Sequence, residues 1–404
     1  MTYARHALHA PLARNTADER ALHDALGAAH RDLTPAIDLA RARAPLRERD
    51  AAAVPAAAPA DVEISLTTVS RAGSFDAYLR VEPLGDPGRG IDMVVDSGCA
   101  VVVLPSWEDL AASAHADQYQ VLATATEPWH CPAHIVRGPL VLPTADGQRL
   151  VLPDCVFYAC IGPAPGGSAR TSNFGVGCLA PWSASAWNVP AGVADPLKPA
   201  LAHWHPQAFA TFSYAAATDV LAPAAAGAPG GFHVHTGSRL LLSTQAPARA
   251  RWLHLLRDEP WMCVRPLRLA IASQPTAWPA DADAIAMVDT GGTCSFLSDP
   301  EDLVCTAAWP DPTDNPEWAA HSTRCESIAS AVALRFGDDD GSPPVDLLVD
   351  PAALPPSAQG LTMVMCHENA YMWGRRGMNT GGFVALVQDL VIDYGGERAG
   401  FLAR

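Results

Sequence analysis

Residues 96–110 read Asp-Ser-Gly-Cys-Ala-Val-Val-Val-Leu-Pro-Ser-Trp-Glu-Asp-Leu, and residues 289–303 read Asp-Thr-Gly-Gly-Thr-Cys-Ser-Phe-Leu-Ser-Asp-Pro-Glu-Asp-Leu. Laid together without a gap, they agree at six of 15 positions: the leading Asp, the Gly, a Leu and the closing Glu-Asp-Leu. Each copy follows an apolar run, Met93-Val94-Val95 in one and Ala286-Met287-Val288 in the other. Each closes on a predicted short helix starting near Glu108 or Glu301. A strand, turn, strand and helix thus occur twice, and internal repetition of this kind constrains a fold more than composition does.

The turn chemistry follows from residue types. An apolar strand delivers an Asp to a buried turn, where its charge is costly unless polar groups surround it. Ser97 and Thr290 supply hydroxyls for a network beneath the carboxylates. Gly98 and Gly291 let backbone N–H groups come close, with no Cβ in the way. If an approximate twofold axis relates the units, Asp96 and Asp289 meet. Two carboxylates about 3 Å apart cannot both ionise, so they share a proton and titrate as a pair. One Asp-[Ser/Thr]-Gly alone is an ordinary turn; two inside matching units are not.

The remaining texture is β-rich. Short runs such as Val62–Leu66, Ile91–Val95, Val101–Leu104, Leu150–Leu152, Val156–Tyr158, Phe232–His235, Ala284–Val288, Val332–Phe336 and Leu390–Ile392 are broken by turn residues. The 36 Pro and 30 Gly fit many turns. The 404 residues are enough for one bilobal unit or two domains. Residues 1–60 form a leader, either prosegment-like or disordered, with a helical pattern over Ala21–Arg43 and an Ala/Pro linker over Ala51–Ala60. A first lobe over 61–214 and a second over 215–404 each hold one Asp, with the Ala/Pro/Gly-rich stretch 215–231 as the joint.

Here the sequence resembles the pepsin-like aspartic peptidases, from about Phe75 to Arg404. Phe75–Val81 is similar to the family's entry strand, and Ser172–Gly177 to its apolar-apolar-Gly segment. Phe209–Tyr214 resembles the strand closing the first lobe, and Trp261–Val264 the strand before the second Asp. Gly382–Val384, Val391–Tyr394 and Arg398–Phe401 resemble the closing strands. The resemblance implies a mostly β, bilobal fold of two barrel-like lobes with a central cleft. Asp96 and Asp289 would then be the catalytic pair, supported by Ser97, Gly98, Thr290, Gly291 and Thr293. It also implies an aspartic endopeptidase that works as a monomer on extended peptide or protein substrates, without a cofactor. Cys325 and Cys366 sit where that family has its second-lobe disulfide. The alternative reading is a non-catalytic binding protein of the same fold.

The match departs from the family in three places. Where it has Ser or Thr after each Gly, this chain has Cys99 and Gly292; Thr293 lies one residue later. The flap hairpin, Glu127–Gly138, has no Tyr, and Trp129 either supplies an aromatic N–H in its place or packs beneath the hairpin. The disulfide loop after the first Asp is missing, leaving Cys155 and Cys160 either as a local bridge or as free buried thiols.

Other functions fit less well. A net charge of -16 repels nucleic acid. No apolar run of about 18 residues would span a membrane. The N-terminus lacks the basic start and apolar stretch of a secretory signal, which favours the cytoplasm over secretion. His130, Cys131 and His134 fall short of a zinc ligand set. His233 and His235 share a strand face without further ligands, and Gly175-Val176-Gly177 lacks the βαβ context of a dinucleotide loop. No Gly-x-Ser-x-Gly elbow occurs, and Asp338–Asp340 reads as a solvated turn.

Overall fold

The computed structural model describes residues 60–71, 74–82, 90–113, 115–126, 131–161, 172–178, 198–215, 220–221, 233–256, 259, 261–271, 277–279, 284–292, 295–298, 307–308, 325–328, 332–337, 343–349, 363–366 and 377–403. The leader, the helix and linker read within it, His130, Trp129, Thr293, the helix near Glu301, most of the 215–231 joint and Asp338–Asp340 lie outside them.

Two burial patterns separate the strands. Phe209–Ser213 alternates between half-buried and buried positions, as a strand with one face on the core does. Ile91–Asp96, which carries the first repeat's Asp, is buried from its second residue onward, as expected for a strand covered on both faces. The result is a mostly β protein with a large mixed sheet. Among the described residues that sheet runs Arg251–His254, Arg398–Leu402, Asp389–Asp393, Phe209–Ser213, His233–Ser243, Val62–Arg71, Ser74–Val81, Ile91–Asp96, Asn173–Gly175, Val102–Leu104, Arg149–Cys160, Pro132–Pro143 and Gln120–Thr126. Strands from both sides of residue 215 therefore share one hydrogen-bonded surface. Two further sheets, of seven and four strands, are built from residues beyond 260.

The sequence repeat reappears as a repeat of topology. Ile91–Asp96 pairs parallel with Asn173–Gly175, which pairs antiparallel with Val102–Leu104, which pairs parallel with Arg149–Cys160. Ile285–Met287, Gly377–Asn379, Ser295–Ser298 and Met363–Cys366 repeat the order and the directions. Even the register matches. Asn173 faces Val94 and Val103, and Asn379 faces Met287 and Phe296, the same positions of the two copies. The helix closing the first copy is Trp107–Ala111, capped by Ser106 Oγ, which accepts from the Asp109 N–H at 3.1 Å.

Three local expectations change. Leu150–Leu152 and Val156–Tyr158 belong to one strand, Arg149–Cys160, interrupted by a bulge at Pro153 and Asp154. Asp154 has φ 53 there, and Pro153, which has no N–H to donate, is tolerated where the ladder is already broken. Gly382–Val384 does not extend as a strand: Phe383–Val387 is a helix, and Val384, Ala385 and Leu386 are consecutively buried, a pattern without the two-residue alternation of a half-covered strand. Of the two readings of Cys155 and Cys160, the structure has the buried thiols and no bridge between them. They are five positions apart on one strand, so they face opposite sides and enter different core clusters.

Candidate functional site

The repeated turns cross each other. Ser97 N–H donates to Thr290 Oγ1 at 3.0 Å, and Thr290 Oγ1 donates to Val95 O at 2.9 Å. In reciprocal fashion, Thr290 N–H donates to Ser97 Oγ at 2.9 Å, and Ser97 Oγ donates to Val288 O at 2.8 Å. Each hydroxyl thus links its own turn to the strand of the other, and both residues are fully buried. The sequence predicted hydroxyls beneath the carboxylates, and these four bonds meet that expectation. Tyr214, buried under the pair, has its phenol against the Thr290 hydroxyl, and burial pushes its pKa up.

The crossing brings the carboxyls together. Asp96 and Asp289 are 3% and 1% exposed, and the Asp289 carboxyl faces that of Asp96. Burial, then the charge of Asp289, push the Asp96 pKa well above its ordinary value. The glycines explain how the approach is made. A Cβ on Gly98 would stand 2.6 Å from Asp289 Cγ, and one on Gly291 would collide with the Asp96 carboxyl. Each Gly leaves the space that the opposite carboxylate fills. Gly175 and Gly177 act in the same way toward backbone: a Cβ would strike the main chain of Val101 and of Ser97. Their spacing serves chain crossing, which accounts for the apparent dinucleotide pattern.

The hydrogen bonding of the two acids is unequal. Asp289 Oδ1 accepts from Gly291 N at 2.9 Å and Gly292 N at 3.1 Å, and Oδ2 accepts from Asn379 Nδ2 at 2.6 Å. Asp96 Oδ1 accepts from Cys99 N at 3.0 Å. The Asn173 amide faces Asp96 and favours its anion, yet its buried Nδ2 makes no well-formed hydrogen bond. Cys99 does not help: its thiol is turned to Val101, where it donates to the carbonyl and accepts from the N–H at 3.4 Å each.

Tyr214, Asn173 and Asn379 are site residues that sequence reasoning missed. The signal was present as Asn173-Phe174-Gly175 and Asn379-Thr380-Gly381. It was too short to stand out, because Asn-x-Gly is common turn chemistry.

Of the other predicted residues, Cys325 and Cys366 are direct register partners on neighbouring antiparallel strands. Of the segment read as a flap, Glu127–Gly138, residues 132–138 lie in the strand Pro132–Pro143, which pairs antiparallel with Gln120–Thr126, while 127–130, with Trp129, fall outside the described residues. His134 accepts or donates at Nδ1 with Thr124 Oγ1 at 3.0 Å and packs edge-on against Trp107, while Cys131 is buried and not in a disulfide. No cluster of three metal-binding side chains occurs among the described residues, and no described helix is long and apolar enough to cross a membrane.

No protein-family model matches this sequence, and a search of curated proteins finds no match.

Proposed function

We propose that this chain is an aspartic endopeptidase with a bilobal, pepsin-like fold, each lobe contributing one acid to a shared site. The observation that carries the reading is the meeting of the buried Asp96 and Asp289 carboxyls, delivered by two cross-bonded turns of one Asp-[Ser/Thr]-Gly pattern and one topology. A buried acid pair that holds one proton can act as acid and base at once.

The unequal donors assign the roles. With three N–H donors around Asp289 and the raised pKa on Asp96, the shared proton sits on Asp96. Asp289 takes a proton from the bound water as its oxygen attacks the peptide carbonyl carbon. Asp96 gives its proton to the carbonyl oxygen, forming a neutral gem-diol. The diol then collapses: the C–N bond breaks, the amine leaves with the proton held by Asp289, and a diol hydroxyl returns its proton to Asp96. An extended peptide laid across the site offers alternate side chains to pockets.

The test is cleavage of a peptide library between pH 3 and 7 by the full chain, beside Asp96→Asn and Asp289→Asn. Activity on the acid side of neutrality, lowered about 100-fold or more by either substitution, is expected. Cleavage that survives either substitution rejects the pair, and no cleavage at any pH leaves the fold to a binding role.

A further inference from the structure

Gly292 stands where the resembled family carries a hydroxyl, and its backbone does not explain why. Its φ is not among the positive values recorded for glycines, so any residue could adopt its conformation. Space is the reason. A Cβ at 292 would lie 3.1 Å from Asn379 Oδ1, 3.3 Å from Asp289 Oδ2 and 3.3 Å from Gly381 Cα. The Asn379 amide occupies the room that a side chain at 292 would need, and it donates to the carboxylate oxygen that such a side chain would serve. Its own Oδ1 is held by the Gly381 N–H at 2.9 Å, so the amide has one orientation.

We propose that Asn173 and Asn379, at equivalent registers of the two repeated units, are the positioning residues of the acid pair, and that their unequal engagement decides which aspartate holds the proton. Asn379 donates to Asp289 in the resting state. Asn173 is the reserve donor: 5% exposed, aimed at Asp96 and without a well-formed bond of its own. It engages when Asp96 gives up its proton and needs a second donor. Among the described residues, the charged or titratable groups shown acting on the pair are the two acids themselves and the Tyr214 phenol, which in turn faces Asp76. None of these supplies a cation, so amide donors are the means left to stabilise an anion here.

The inference rests on reading Asp96 and Asp289 as a proton-sharing pair, and its test does not require turnover. Carboxyl-13C aspartate would be incorporated into the full-length protein and the pair's two titration steps followed by NMR, assigned by loss in Asp96→Asn and Asp289→Asn. Asn379→Ala removes a donor from the singly charged state, so the lower step moves up by about one pH unit or more while the upper one moves less. Asn173→Ala removes the donor reserved for the doubly charged state, so the upper step moves up and the lower one stays. Asn379→Ser, a milder truncation that keeps a polar group in the pocket, moves the lower step in the same direction. The decisive variant is the exchange Gly292→Ser with Asn379→Ala, which moves the donor from the Gly377–Asn379 strand to the turn after Asp289 and returns the lower step toward wild type. A purely structural role for Asn379 predicts no such rescue. Unmoved steps in both Asn variants, or failed rescue in a folded exchange variant, overturn the proposal. Steps that move as described in a protein that cuts no peptide uphold it and remove the peptidase reading. Two acids that titrate independently at ordinary values overturn both.

Discussion

Removing the Ser97 hydroxyl tests how firmly the two repeated turns are tied together. In Ser97→Ala, the Val288 carbonyl loses its donor at 2.8 Å and the Thr290 N–H loses its acceptor at 2.9 Å. Both groups belong to fully buried residues, Val288 and Thr290. A buried backbone group left unpaired costs about 1–3 kcal/mol, so two cost about 2–6 kcal/mol. That is a large share of the ~5–15 kcal/mol that holds a typical protein folded. Urea unfolding reads it as a lower midpoint at unchanged slope. Thr290→Val should cost a similar amount, because its hydroxyl also bridges the two turns. The double variant should lose less than the sum, since each substitution already frees the crossing that the other would free. A loss for Ser97→Ala below about 0.5 kcal/mol, the range of ordinary surface changes, would refute the claim that these bonds clamp the halves.

Gly98→Ala places a methyl 2.6 Å from Asp289 Cγ, so the carboxyl must move; peptide cleavage should fall below detection while circular dichroism still reports a β protein. Burial and Asp289 raise the Asp96 pKa above 3.8, so the folded chain keeps a proton that the unfolded chain has released. The Asp96 contribution to stability therefore falls as pH rises through that window, and the melting temperature of wild type minus that of Asp96→Asn should decline across it. Burial pushes the Cys155 thiol up to about 12 and raises Cys178 as well, so an aromatic disulfide reagent should label neither in the native protein and both in urea. Facing register makes Cys325 and Cys366 the expected pair in a peptide map of air-oxidised, unreduced protein.

The acid pair was legible because both copies preserve Asp-[Ser/Thr]-Gly behind an apolar strand and hold one offset throughout. Asn173 and Asn379 were not, because the chain between Asp and Asn differs in length in the two copies, so no single offset aligns both features. The bulge at Pro153 and Asp154 hid that two short apolar runs form one strand: Pro in sequence reads as an end, whereas here the strand continues past it with one extra residue opposite Pro139. The helix Phe383–Val387 was lost for a different reason. Phe383, Val384 and Val387 favour strands, and it is the consecutive burial of Val384, Ala385 and Leu386 against neighbouring elements that goes with the helix.

The large sheet carries a consequence for biosynthesis. One of its internal strands, Phe209–Ser213, is flanked on one side by His233–Ser243 and on the other by Asp389–Asp393. A ribosome that has released the first 215 residues has delivered a strand with both of its neighbours still to come. Completion of this layer must wait for nearly 180 more residues, so a chaperone that shields exposed strand edges during translation should raise the yield of native protein.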